Sequence, residues 1–95
     1  MSAIPAVVIP VFNAVEELRR CLAAVRATVA ADVPVVVIDD ASSDPAVGET
    51  LNELTAGWHV IRQPENRGFV ATANRGMGEA GDRDVVLLNS DTIPA

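Results

Sequence analysis

The chain has no lysine, a single cysteine and only three aromatic residues. Every side chain in its Lys and Arg total is an arginine, which excludes a phosphate-binding P-loop, because that motif contains Gly-Lys-Ser/Thr. The turn after the first apolar run has no glycine, which also excludes the glycine-rich turn of a dinucleotide-binding unit. Cys21 has no partner for an internal disulfide and falls on the apolar stripe of a predicted helix. The core must therefore consist mainly of Val, Leu, Ile and Ala.

Long apolar runs and a basic surface are absent too. No run approaches the roughly 20 residues that a membrane span needs, and no basic region precedes an apolar stretch at the N-terminus, so no signal peptide is predicted. We therefore expect a cytoplasmic location, with membrane association only in a longer protein. The net charge of −6 argues against nucleic-acid binding, which requires a basic surface. A length of 95 residues, 49% of them hydrophobic and 21% charged, is typical of one small globular domain.

Apolar runs alternate with amphipathic segments along the chain. The runs at residues 4–11, 35–38, 58–62 and 84–88 are predicted strands, and the last but one is weak enough for a sheet edge. The first predicted helix has apolar residues at three- and four-residue spacing, namely Val15, Leu18, Leu22, Val25 and Val29. A second helix carries Val47, Leu51 and Leu54, and a third covers residues 69–80. This order predicts an α/β fold with a Rossmann-like open parallel sheet of about four strands and three helices, β-α-β-α-β-α-β.

The ends of the helices carry their own signals. Asn13 followed by Glu16 three residues later predicts a capping box for the first helix. Asp44 followed by Pro45 predicts an N-cap and a first-turn proline for the second helix, and Gly81 is expected to end the third.

Gly76 and Gly78 interrupt the third predicted helix. Each costs about 1 kcal/mol relative to alanine within a helix. We therefore expect close packing of this helix on the sheet, or close approach of a ligand, to account for them.

Three of the predicted strands end in a polar cluster, and two of these clusters are acidic. Because the carboxyl ends of parallel strands open onto one crevice where ligands bind, these clusters predict a metal-assisted nucleotide site. Asp91 is the main candidate metal ligand, with a cap of the next turn as the alternative. One of Asp39 and Asp40 is expected to face the crevice and accept from a base or ribose; a plain Asx-type turn is the alternative.

Five short segments together carry a family resemblance. They are VIPVFN at residues 8–13, VIDDASSD at 37–44, NRGF at 66–69, ANRG at 73–76 and LLNSDT at 87–92. In this order and at these spacings, they resemble the N-terminal, nucleotide-binding half of a family 2 glycosyltransferase with the GT-A fold. The resemblance covers about nine-tenths of the chain, and it implies that residues 1–95 are the donor-binding half of a domain whose acceptor half is missing.

The resemblance also assigns roles to individual residues. Asp40, with Asp39 beside it, would recognise the base and ribose of a nucleoside diphosphate-sugar, in which the sugar is linked to UDP, GDP or dTDP. Residues that would line the base pocket or lie near the donor are Pro10, Phe12, Asn13, Arg67, Gly68, Asn74 and Arg75. The two arginines are possible phosphate contacts, although exposure to solvent on the third helix is the alternative. Asn89 and Asp91 would form the metal-binding Asp-X-Asp motif, which holds Mg²⁺ or Mn²⁺.

Two departures from the family pattern limit these implications. Asn89 replaces the first acid of the motif, so coordination would depend on Asp91. No general base is identified, because that carboxylate is expected in the missing half; the fragment alone should bind the donor without turnover.

The complete enzyme would pass a hexose, with inversion, to a glycan or lipid-linked acceptor in cell-wall or polysaccharide synthesis. The alternatives are a sugar nucleotidyltransferase and a non-catalytic interaction module. The unfinished sheet also suggests a homodimer formed through its exposed apolar surface.

Overall fold

The structure is a computed structural model that describes residues 4–90, and the predicted elements occur there in the predicted order. The strands are β1 (Ala6–Val11), β2 (Val35–Asp39), β3 (His59–Arg62) and β4 (Val85–Leu87). The helices are α1 (Val15–Thr28), α2 (Pro45–Leu54) and α3 (Phe69–Ala80). The α/β class and the alternation of strands and helices are thus confirmed, and strand ends differ from the predicted ones by only one or two residues.

The described strands form one parallel sheet in the order β3-β2-β1-β4. Strand β1 pairs with β2 so that Ile9 lies opposite Val37, and with β4 so that Val7 lies opposite Val86. All residues of β1 and β2 are buried, whereas β3 forms one edge of the sheet, as predicted, and its His59 is exposed. The carboxyl ends of the two central strands therefore open side by side at one edge of the molecule.

Helices cover both faces of the sheet, because alternate residues of each central strand point to opposite faces. One face packs against α1 and α2, and its core is Val7, Ile9, Val11, Leu18, Cys21, Leu22, Val25, Val35, Val37, Val47 and Leu51. The other face packs against α3 through Val8, Val36 and Ile38. The continuous apolar runs of β1 and β2 follow from this two-sided burial.

Close packing on the sheet accounts for one of the two glycines inside α3. A Cβ atom on Gly76 would lie 2.3 Å from Cγ1 of Val8 and 3.2 Å from Cγ1 of Ile38, so no side chain fits between the helix and the sheet. At Gly78 a Cβ atom would meet nothing within 4 Å. The expectation of close packing is therefore confirmed at Gly76, and packing gives no reason for Gly78.

The prediction that Asn13 caps α1 with Glu16 is wrong. The N-cap position is Ala14, in the left-handed region with φ 54° and ψ 59°, and no side chain caps the helix. The Asn13 side chain bonds instead to the loop after β2, where its Oδ1 accepts from the Asp44 backbone N–H at 3.0 Å. The Asp44 cap of α2 is confirmed, because its carboxylate accepts from the Ala46 backbone N–H at 2.9 Å.

Strand β4 leaves apolar side chains exposed at the second edge of the sheet. Val86 is 47% and Leu87 40% accessible. Val86 lines a groove of about 400 Å³ whose other lining residues are mainly apolar, namely Pro5, Val7, Val25, Thr28, Val29, Ala30, Val33 and Leu88. Within residues 4–90, none of the helices combines the length and apolar character required to cross a membrane.

Candidate functional site

A cleft of about 380 Å³ opens where β1, β2 and β4 end and α3 begins. Its walls are formed by Pro10, Val11, Phe12, Ala14, Asp40, Asn66, Gly68, Phe69, Thr72, Asn89 and Ser90. The strands place the polar groups here because their carboxyl ends meet at one edge of the sheet. Of the residues predicted from the sequence, the structure brings Pro10, Phe12, Asp40, Gly68 and Asn89 to this one cleft.

The carboxylate of Asp40 holds the segment that leads into α3. Its Oδ1 accepts from the Gln63 side-chain amide at 2.8 Å and from the Arg67 backbone N–H at 2.7 Å. Its Oδ2 accepts from the Asn66 side-chain amide at 3.0 Å and from the Gly68 backbone N–H at 2.9 Å. A carboxylate offers about four acceptor positions, and protein donors fill all of them. Asp40 is only 4% exposed, so it organises one wall of the cleft from within.

Asp39 lies beside Asp40 in sequence but faces the loop after β2. Its Oδ1 accepts from the backbone N–H and the hydroxyl of Ser42, at 3.1 and 2.6 Å. Its Oδ2 accepts from Nε of Arg62 at 3.1 Å. The side chain is 1% exposed and does not line the cleft. Successive side chains of an extended backbone point to opposite sides, so only one acid of the pair reaches the cleft.

Two half-exposed aromatic rings stand at the cleft, Phe12 after β1 and Phe69 at the start of α3, each 50% accessible. Aromatic rings this exposed on a small domain are free to stack on a flat ligand. Among the described residues, no cationic side chain lines the cleft. This lining suits an uncharged planar group better than a phosphate.

The remaining predicted contact residues lie outside the lining of the cleft. Arg67 takes part through its backbone N–H, while its guanidinium lies 3.4 Å from Glu65. Arg75 lies 3.6 Å from Glu79, one turn further along α3. The arginine side chains are each 52% exposed, and Asn74 is exposed too. Their solvent exposure agrees with the alternative reading of the two arginines.

A network joins the loops that follow β1 and β2. The Asn13 backbone N–H donates to the Ser42 hydroxyl at 2.8 Å, and its side-chain amide donates to the Ser43 hydroxyl at 3.2 Å. Asn13, Ala14 and Ala41 all adopt positive φ, a conformation that residues other than glycine rarely take and that clusters at functional sites. Asn13 therefore supports the cleft through the loop rather than by lining it.

Sequence reasoning missed Gln63 and Thr72, which connect the end of β3 to α3. The Gln63 side-chain amide donates to Asp40 and also to the Thr72 hydroxyl, at 3.0 Å. Both residues are buried, at 6% and 1% exposure. The spacing of Thr72, four residues after Gly68 on a helix, indicates that the two share a helix face. No local pattern marks Gln63, because its partners lie 9 and 23 residues away.

Of the two predicted metal ligands, one lies within the described residues. Asn89 lines the cleft, while Asp91 lies outside the described residues. Within residues 4–90, no group of three or more His, Cys, Asp or Glu side chains could hold a metal ion. The oxygens of an amide and a carboxylate two residues apart are hard donors of the kind that Mg²⁺ and Mn²⁺ prefer, so the chemistry of this pair fits such an ion.

Comparisons with known proteins give a matching family, a sequence relative and a similar solved structure. The family model described as "Glycosyl transferase family 2" matches residues 6–95. The glycosyltransferase GlyA of Streptococcus pneumoniae is 32% identical over 87 residues, which are 90% of this chain but 12% of that protein. The crystal structure of S. aureus TarS residues 1–349 superposes with a TM-score of 0.77 at 21% identity, over 96% of this chain and 28% of that one. The chain thus spans only a small part of the proteins that it matches.

Proposed function

Because the chain belongs to glycosyl transferase family 2, we propose that its cleft binds the nucleoside end of a nucleoside diphosphate-sugar. The single observation that carries the proposal is the gathering of three strand ends around one cleft, with the buried Asp40 fixing the wall that leads into α3. In this proposal Pro10, Phe12 and Phe69 contact the flat faces of the base. Asp40 acts through the segment that it holds, since its own acceptor positions are filled.

The diphosphate would extend from the base towards the end of β4. Asn89 lies on that side of the cleft, and with Asp91 it would hold Mg²⁺ or Mn²⁺. When bound, the ion would neutralise charge on the diphosphate leaving group. Two observations support the need for a cation. The chain carries a net charge of −6, and among the described residues no cationic side chain lines the cleft. The side chains of Asn74, Arg67 and Arg75 do not line the cleft, so they would contact only a part of the ligand that extends beyond it.

We further propose that the chain is the donor-binding half of a longer, cytoplasmic enzyme. That enzyme would transfer a hexose, with inversion, to a hydroxyl of a glycan or lipid-linked acceptor. The general base must reach that hydroxyl within hydrogen-bond distance, and we assign it to no residue of this chain. The fragment alone is therefore expected to bind the donor without turnover.

Calorimetric titration with UDP, GDP and dTDP, each with and without Mn²⁺, tests the proposal. We expect binding of at least one nucleotide to require the metal, and Asp91→Ala to remove that requirement or the binding itself. Asp82→Ala is the matched control, because it removes one exposed carboxylate that precedes β4, whereas Asn89 follows the other end of that strand. Equal affinity for every nucleotide without metal, unchanged in Asp91→Ala, would refute the proposal.

A second candidate function is self-association through β4. The accessible side chains of Val86 and Leu87, and an outer strand edge that pairs with no other strand of residues 4–90, favour edge-to-edge pairing of two copies. Sedimentation equilibrium should then show a dimer that Val86→Glu converts to a monomer. A wild-type chain that stays monomeric at high concentration would rule this out.

A further inference from the structure

The hydroxyl of Thr72 differs from those of other threonines in the helices. Thr28 and Thr50 donate to the carbonyl four residues earlier, at 2.7 and 2.8 Å. The Thr72 hydroxyl makes no such bond to the Gly68 carbonyl, and among the described residues its hydrogen-bond partner is the Gln63 amide. The residue is 1% exposed, and it lines the cleft.

The contacts of Gln63 decide which way this hydrogen bond runs. The Gln63 amide nitrogen donates to Asp40 Oδ1 at 2.8 Å, and a carboxylate oxygen can only accept. The nitrogen end of the amide is therefore fixed towards Asp40, and the same nitrogen lies 3.0 Å from the Thr72 oxygen. Thr72 consequently accepts from Gln63. Its own proton has no acceptor within residues 4–90.

A buried hydroxyl whose proton lacks an acceptor carries a cost that a ligand acceptor would remove. Asp40, the buried acid that lines the cleft, cannot provide this acceptor, because its carboxylate already accepts four hydrogen bonds. Thr72 contributes to the wall of the cleft, where a bound ligand can supply that acceptor.

From this we infer that Thr72 determines base specificity by donating its hydroxyl proton to a carbonyl oxygen of the bound base. The inference rests on the proposed function of the cleft. Uracil and thymine present a carbonyl oxygen at position 4, where cytosine presents an amino group, and guanine differs from adenine in the same way at position 6. The site therefore selects donors with a keto base over donors with an amino base, and Gln63 is the positioning residue that keeps Thr72 in the donor state.

UDP and CDP are the probes, because their bases differ at position 4 and in the proton on N3, while ribose and diphosphate are identical. Both are titrated with Mn²⁺ present, so that any contribution of the diphosphate cancels in the ratio of the two Kd values. We expect UDP to bind about tenfold more tightly than CDP, the effect of one hydrogen bond together with a donor left unsatisfied by cytosine.

Three threonine variants separate the hydroxyl from the shape of the side chain. Thr72→Val keeps the branched shape without the proton and should bring the UDP-to-CDP ratio close to one, whereas Thr72→Ser should keep the preference. Thr50→Val is the matched control, since Thr50 is also buried on a helix but lies in α2, away from the cleft. It should leave the ratio unchanged.

Gln63→Met tests the positioning role with a side chain of similar length. Without the amide, the Thr72 oxygen is free to accept from an amino group, so CDP should gain relative to UDP. A purely structural role would instead weaken both nucleotides by the same factor. Equal affinity of the wild type for UDP and CDP, or an unchanged ratio in Thr72→Val, overturns this inference and leaves the proposed function standing. Failure of the wild type to bind any nucleotide overturns both.

Discussion

Replacing Asp40 with alanine removes the acceptor that holds the start of α3. Four donors lose their partner at once, namely the side-chain amides of Gln63 and Asn66 and the backbone N–H groups of Arg67 and Gly68. Asn66 and Arg67 are exposed and can bond to water instead. Gln63 is buried, and Gly68 is partly buried at the N-cap of α3. The cost therefore arises mainly from these last two.

The size of the loss can be worked from these contacts. A buried donor left unsatisfied, as at Gln63, costs about 1–3 kcal/mol, and loss of an ordinary hydrogen bond, as at Gly68, costs about 1 kcal/mol. We therefore expect Asp40→Ala to lower the free energy of unfolding by about 3 kcal/mol, a large share of the roughly 5–15 kcal/mol typical of small domains. Asp40→Asn keeps one acceptor oxygen and should lose less.

Urea denaturation measures this loss as a shift of the midpoint, with the slope unchanged. Asp44→Ala is the matched control, because the Asp44 carboxylate also accepts from the start of a helix but, within residues 4–90, takes a single bond, from the Ala46 backbone N–H. It should cost about 1 kcal/mol. Equal losses in Asp40→Ala and Asp44→Ala would refute the view that Asp40 organises the wall of the cleft; so would an Asp40→Asn variant as stable as the wild type.

Further predictions concern the helix–sheet contact and the second acid. Gly76→Ala should lower the free energy of unfolding by about 1–2 kcal/mol, because its Cβ would lie 2.3 Å from a methyl carbon of a buried β1 valine. Gly78→Ala, in open space, should raise it by about 0.5–1 kcal/mol; thermal melting of both checks this, and equal shifts would contradict it. Arg62→Ala should cost about 1–2 kcal/mol, since it leaves the buried carboxylate of Asp39 without its cation, although the 55% exposure of Arg62 moderates the loss. In urea denaturation, Arg19→Ala should cost less than about 0.5 kcal/mol as the exposed control, and a comparable loss in both variants would argue against the importance of the buried pair.

The order of the elements and several of their ends could be predicted from the sequence because those signals are local. The apolar runs of β1 and β2, the Asp44-Pro45 start of α2 and the glycine after α3 each act through neighbours a few residues away. The Asn13 prediction failed for the opposite reason. Its side chain has a stronger use across space, in the loop after β2, than the local capping box that its spacing indicates.

The polar clusters at the strand ends were visible in the chain, and so was their convergence, since parallel strands release their loops at a common edge. Which acid reaches the cleft was not. Asp39 turns towards Arg62 and Asp40 towards α3, a choice made by partners more than twenty residues away. Linear spacing carries no record of such contacts, because they exist only once the sheet has brought the ends of β2 and β3 together.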